Sequence, residues 1–315
     1  MSMELKVRPL RQEDLENADH IMRLAFGTFI GVPDPAHFGE GMEHVKTRWL
    51  ADPNSAFAAE ADGNLVGSTF VARLGSFGFF GPLTVHPGFW DRGVAKLLMV
   101  STMELFNKWG VSHAALFTFA HSPKHLGLYQ KFGFWPRFLT AIMSKPAKLS
   151  DSQSGWSKFS DVLDSEEKKV LMMCRGVTSS VYDGLDLERE ILAVRKQRLG
   201  DTVLLWEGQA LVGVAVCHCG VGTEAGRDTC YIKFGVVQRG PSAEGFFDRL
   251  LIACEELSSI RGMANVLVGV NTACHSAYQR MIARGFRTDF QGVMMLRPNE
   301  PAFDRPDCHV LCDLR

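Results

Sequence analysis

The chain has 315 residues, enough for two domains of ordinary size, with 46% hydrophobic residues, 22% charged residues and a formal net charge of −1. That balance describes a globular protein and argues against nucleic acid or an anionic membrane as the main partner. The opening MSMELKVRPL places charges where a secretory leader needs an apolar stretch, and no apolar run approaches membrane-spanning length, so the expectation is a cytoplasmic protein.

In chain order, residues 3–9 alternate and read as an opening strand. Residues 12–26 carry a helical pattern with Leu15, Ala18, Ile21, Met22 and Ala25 on one side. Residues 27–52 mix glycine, proline, His37 and His44 with Phe29, Phe38 and Trp49, and fit either a helix plus a loop or the wall of a site. Ala56–Ala61 and residues 65–74 form a hairpin around Asp62-Gly63-Asn64. Next comes the strand Phe77–Val85. Its Gly78, Gly81 and Pro82 suit a bulge or a splay better than a regular central strand, although glycine could simply relieve crowding among Phe77, Phe79 and Phe80.

A turn with Arg92-Gly93-Val94-Ala95-Lys96 follows, then a helix with Val94, Leu97, Leu98, Ser101 and Leu105 on one face and Gly110 as its stop. A strand that passes through a glycine turn into a helix presents unpaired N–H groups at the positive end of the helix dipole. Gly93 and Ala95 keep side chains out of the way, and Arg92 and Lys96 add positive charge. That is a site for a pyrophosphate, although GxGxxG is absent. Residues 111–119 read as another strand, and Ser122-Pro123 as a cap with proline at the first helical position. The short helix carries Tyr129 before Gly133-Phe134, and residues 138–143 close the unit as a strand. Residues 145–160 are polar and serine-rich, which gives a division into 1–147, a linker at 148–160, and 161–315.

Strand, RGVAK turn, helix, strand and LYQKFGF together resemble the GNAT superfamily of acyl-CoA-dependent N-acyltransferases. The resemblance covers residues 3–146 and departs mildly at Trp90, where the family's turn commonly carries Gln or Arg. It implies an α/β (α+β) fold with a mixed, mostly antiparallel sheet flanked by helices. It also implies that the turn at Arg92, Gly93, Val94, Ala95 and Lys96 holds the pyrophosphate of acetyl-CoA. Leu83, Thr84 and Val85 would offer backbone groups to the pantetheine arm where two strands part. Ser122 stands where the family commonly has an Asn on the coenzyme, and His125 would line the arm; Ser-Pro is also a helix cap in its own right.

The second half repeats the first. At one constant spacing, Val85 answers Val237, Gly93 Gly245, Glu104 Glu256, Gly110 Gly262, and Gly133-Phe134 Gly285-Phe286. Upstream, Leu65-Val66-Gly67 answers Leu211-Val212-Gly213 at a shorter spacing, because GVGTEAGRD before Cys230 is a longer hairpin connection. The expectation is therefore two tandem GNAT-like domains. The copies differ where the chemistry lies: the turn becomes Ala243-Glu244-Gly245-Phe246-Phe247-Asp248 and Tyr129 becomes Met281, with Tyr278 one turn earlier. Two acids would repel a pyrophosphate and Phe247 would obstruct it, so the second copy reads as degenerate.

Acyl transfer from a thioester to an amine needs a neutral amine, a polarised carbonyl and an acid for the leaving thiolate. Tyr129 is the acid that the resemblance implies, with a packing aromatic as the alternative role. No Asp or Glu lies on Phe77–Val85, which leaves His86, His121, Glu60 or the 37–44 segment as possible bases, or water-relayed deprotonation with none. The eight cysteines all lie in the second half. Cys217-His218-Cys219 and Cys308-His309-x-x-Cys312 could be drawn as a zinc site, but period two puts Cys217 and Cys219 on one face of a strand with His218 opposite, so no metal is expected. The reading is an acetyl-CoA-dependent acetyltransferase for a small-molecule or peptide amine. A non-catalytic acyl-CoA sensor is the alternative.

Overall fold

The computed structural model describes residues 4–148 and 155–314. The first half runs β1 (Leu5–Pro9), α1 (Leu15–Ile30), α2 (His44–Ala51), β2 (Ala56–Ala61), β3 (Asn64–Leu74), β4 (Phe77–Val85), α3 (Val94–Trp109), β5 (His113–Thr118), α4 (Pro123–Gln130) and β6 (Trp135–Pro146). The same order returns as β7 (Trp156–Lys158), α5 (Glu167–Val181), α6 (Glu188–Gln197), β8 (Gly200–Glu207), β9 (Ala210–Cys219), β10 (Thr229–Val237), α7 (Ala243–Ile260), β11 (Asn265–Asn271), α8 (His275–Ala283) and β12 (Arg287–Arg297). One short strand, β13 (Val310–Cys312), follows as an addition. The duplication read from glycines and apolar positions is thus a duplication of elements.

The strands form one continuous sheet in the order β1-β2-β3-β4-β5-β12-β6-β11-β10-β9-β8-β7, with β13 paired to β10. Pairing is antiparallel except for β4–β5 and β10–β11. The centre is a reciprocal exchange: β12 pairs with β5 of the first half, β6 pairs with β11 of the second, and β6 and β12 pair with each other. Each half therefore completes its sheet with the other's last strand. The two faces of the first half are covered separately. Helices α1 and α2 bury Met22 and Val45 over Ala58 and Phe70, whereas α3 buries Val94 and Leu98 over Val66 and Val85 on the other face. A third cluster is shared by the halves, since Leu74, Phe77, Phe79 and Met143 pack with Val236, Leu250 and Val268.

Several boundaries differ from the sequence reading for definable reasons. Helix α1 continues past Phe26 to Ile30, because Gly27 is a packing residue: a Cβ there would lie 2.5 Å from the Pro35 backbone. On α3 the buried face is Val94, Leu98, Met99, Thr102, Met103 and Phe106, while Leu97 is exposed and Ser101 and Leu105 are partly so. The expected stripe was rotated by about one residue, since helical side chains cover the surface behind their own Cα. Part of the segment read as a linker is structured: Trp156–Lys158 is the edge strand on β8, and β6 runs on to Pro146 because β11 pairs it that far. Residues 149–154 of that segment lie outside the described residues.

All eight cysteines are free thiols, and Cys219 Sγ lies 3.6 Å from Cys230 Sγ. Among the described residues no cluster of His, Cys, Asp and Glu is arranged to hold a metal, and no helix is long and apolar enough to cross a membrane.

The exchange makes a prediction. A fragment 1–149 leaves β5 without β12 and β6 without β11, which exposes sheet edges and apolar surface. It is expected to aggregate or to pair by strand exchange, as light scattering would report. A monomer that melts like the full chain would refute this.

Candidate active site

Strands β4 and β5 pair only through Phe77–His113, Gly78–Ala114 and Phe79–Ala115. Beyond Phe79 they part, while β5 stays attached on its other side through Leu116–Met295, Phe117–Met294 and Thr118–Val293. On the β3 side the register slips between Thr69 and Val71, so Gly81 and Pro82 form a bulge. Bulge and splay are both present. They leave Leu83, Thr84 and Val85 on a strand edge that β5 does not occupy. The hydroxyl of Thr84 is buried and without a hydrogen-bond partner. Val85 is less available, since its carbonyl already accepts the Trp90 indole N–H at 2.7 Å. That bond also accounts for the tryptophan in the turn.

Helix α3 starts beside this edge. Its cap, Gly93, has φ +84°, which favours glycine, and no side chain caps the first turn. A Cβ at Gly93 would meet nothing within 4 Å, so the approach to the N–H groups of Val94, Ala95 and Lys96 is open. Arg92 and Lys96 are exposed at this end, with the Arg92 guanidinium 5.4 Å from the Phe89 ring. Lys124 bridges to Asp91 at 2.7 Å and adds a third cation. Ser122 caps α4 by accepting from the His125 N–H at 3.3 Å.

Tyr129, on α4, is buried on the α3 face against Phe80, ring centroids 5.8 Å apart, in a cluster with Met99, Met103 and Phe134. Burial alone pushes its phenol well above the ordinary tyrosine range. It stays protonated at any working pH, but it is a weaker acid than the unperturbed value implied.

The candidate bases separate clearly. Glu60 is held by Arg8 at 2.6 Å in the β1–β2 pair. The His86 ring accepts from the Gly88 N–H as a local cap. His37 pairs with Asp34 on the surface. His121 and His125 are brought to the open end of the splay, where Phe29 lies 6.0 Å and 4.7 Å from their rings. Burial, with Lys124 and His121 nearby, lowers the His125 pKa and keeps that ring neutral.

The corresponding place in the second half is filled. Strand β10 pairs with β11 only as far as Ile232–Val268, then parts from it, and β13 lies along the freed edge through Phe234–Cys312, Gly235–Leu311 and Val236–Val310. The Tyr231 hydroxyl donates to Asp313 at 2.6 Å and fixes the end of this strand. Phe247 points into the core instead of obstructing the turn, as expected from sequence, so β13 is the obstruction. Glu244 and Asp248 pair with Arg280 of α8, and Met281 is fully buried.

Sequence reasoning missed one group of residues altogether. The connection between β9 and β10 carries Glu224, fully buried against the first half. Its carboxylate takes both ends of Arg48 on α2, at 2.8 Å and 3.2 Å, and Lys233 of β10 at 2.9 Å. Arg48 also donates to the carbonyl of Gly81 in the bulge. Lys233 reaches Glu190 at 2.9 Å. Backbone bonds from Glu43 to Thr223 and from Gly222 to Gly41 tie the same connection to the segment after α1. Burial opposes charge on Glu224, but Arg48 and Lys233 outweigh it and hold the carboxyl well below its ordinary range. His218 nearby is pushed down to about 3 by burial and is neutral. The only sequence signal was the extra loop length.

Replacing one member strands a buried charge. Glu224→Gln is expected to cost about 3–5 kcal/mol of unfolding free energy at pH 7, read by denaturant titration. Because the folded-state pKa is depressed, wild type keeps its advantage above the unfolded pKa of about 4.3 and loses it as pH falls through the lower folded value. An unchanged midpoint at pH 7 would refute the assignment.

Comparison with known proteins places this geometry. Residues 19–134 match the acetyltransferase (GNAT) family. No curated protein matches the chain. Among solved structures, a Pyrococcus horikoshii protein provisionally named an acetyltransferase superposes with TM-score 0.69 at 14% identity, covering 98% of this chain and 92% of that one. A GCN5-related N-acetyltransferase from Sphaerobacter thermophilus gives 0.62 at 17% identity, covering 95% and 96%. A tandem GNAT protein from the clavulanic acid biosynthesis pathway gives 0.57 at 13% identity, covering 95% and 100%. At these identities the likeness is one of fold.

Proposed function

With residues 19–134 matching the acetyltransferase (GNAT) family and the whole chain folded like a tandem GNAT protein, we propose an acyl-CoA-dependent N-acyltransferase with one active site, in the first half. The donor is acetyl-CoA and the acceptor a primary amine of a small molecule or peptide. The observation that carries this is the pairing of an open β4–β5 splay with an uncapped α3 N-terminus, against a second half whose splay is filled. The residues present fit the donor. The N–H groups of Val94, Ala95 and Lys96, with Arg92 and Lys96, suit a pyrophosphate, and the edge at Leu83 and Thr84 suits an amide-bearing arm.

When bound, acetyl-CoA supplies a thioester whose C–S bond is exchanged for a C–N bond to the amine. Tyr129 keeps a proton at its hydroxyl in the aromatic pocket of Phe80 and Phe134. With its pKa raised, it acts as a donor to the sulfur as charge develops there, more than as a full proton source. Packing of Met99, Met103 and Phe106 of α3 against α4 excludes water around the ring. The amine must lose its proton, and His121 and His125 are the titratable rings nearest the open end.

Calorimetry is expected to give one acetyl-CoA per chain, lost in the double variant Arg92→Glu, Lys96→Asp; two equivalent sites would contradict the reading. Tyr129→Phe should lower turnover roughly ten- to a thousand-fold with coenzyme affinity nearly unchanged. Turnover should rise with pH as the amine deprotonates, with no fall from tyrosine ionisation up to about pH 10. If acetyl-CoA binds but no amine stimulates thiol release, the chain is a sensor and the enzymatic reading fails.

A further inference from the structure

Tyr129 and the α3 turn lie on one face of β4. On the other side a small cavity touches β4 at Phe79 and Gly81, the residues where it leaves β5. Its charged lining is Arg48, Arg73, Arg189 and Lys233 against Asp52 and Glu190. Three of the six, Arg189, Glu190 and Lys233, come from the second half, so the cavity exists only in the full chain.

We propose that this cavity is the acceptor site and takes a small amine that also carries a carboxylate, of the amino acid kind. The inference rests on the acyl transfer proposed above. An amine has to approach β4 from the side that Tyr129 and the turn do not occupy, and this cavity adjoins the splay there. Its carboxylates are already committed: Asp52 to Arg189 at 2.7 Å, Glu190 to Lys233 at 2.9 Å, and Glu224 behind them to Arg48 and Lys233. These three carboxylates hold three of the four cations, so the group carries one positive charge in excess and has no carboxylate left for a polycation. Arg73 donates to the Gly75 carbonyl at 2.9 Å and pairs with no carboxylate among the described residues. A ligand carboxylate would balance this one excess charge, and the Arg73 guanidinium suits it geometrically. Ala51, Phe70 and Phe79 supply the apolar remainder, which fits a short side chain.

The test uses the full chain in two arms. Without coenzyme, ligand-observed NMR screens the common protein amino acids, β-alanine and 4-aminobutyrate against ethylamine and spermidine. With acetyl-CoA, thiol release is followed for the same compounds. At least one carboxylate-bearing amine is expected to bind and to be acetylated in preference to ethylamine and spermidine. Arg73→Gln and Arg189→Gln, which leave the buried Glu224 group intact, should each raise its KM roughly tenfold with kcat nearly unchanged. Equal or better use of spermidine or ethylamine overturns the proposal, as does an unchanged KM in both variants or no binding by any carboxylate-bearing amine. If acetyl-CoA itself fails to bind, acyl transfer falls, and the NMR arm still decides whether the cavity takes such amines.

Discussion

A strand that leaves its neighbour must have that neighbour held from the other side. β5 could not keep an open edge toward β4 if its opposite edge were also free, because an unpaired strand in a sheet centre loses its hydrogen bonds and drifts. Here the opposite edge is held by β12, a strand of the second half. The splay in the first half is therefore braced by the second, and β6 does the same for β11. The exchange accounts for a duplicate that keeps its framework: Val268, Phe286 and Met295 are fully buried or nearly so because the shared sheet needs them.

A second tie runs through charge. Buried ion pairs seldom add stability over an apolar packing of the same volume, since desolvation offsets most of the Coulomb gain. What they do supply is geometry. Glu224 fixes Arg48, and Arg48 fixes the carbonyl of Gly81 in the bulge. The loop that the second copy gained thus reaches the strand where the first copy opens. The same group of charges sets the polarity of the adjoining cavity.

Much of the fold was legible in the sequence. The alternation at residues 3–9, the hairpin signal at Asp62-Gly63-Asn64, the cap at Ser122-Pro123, and the matched glycines located strands, helices and the repeat. Gly81 and Pro82 announced the bulge because both are poor at ladder positions. What could not be read was partnership. Nothing local distinguishes a last strand that returns to its own half from one that crosses, since β6 and β12 present the same apolar pattern either way. The burial of Glu224 was equally hidden, because a Glu in a glycine-rich connection reads as solvated unless its partners, Arg48 and Lys233, are known to converge there.

The two copies also show how one geometry can be kept for opposite ends. A parted strand pair is a liability as well as a site: its free edge invites any strand that can reach it. The second copy closes its gap with β13, and Val310 and Leu311 gain complete burial from doing so. The first copy has no such strand among the described residues, and its gap stays open. Charge at the turn follows the same division. Where the gap is filled, the turn carries Glu244 and Asp248 in place of cations, and both are tied to Arg280. Where the gap is open, Arg92 and Lys96 stand exposed at an uncapped helix end. Loss of the turn and closure of the gap are thus two sides of one change, since an edge no longer kept for a ligand is safest when covered.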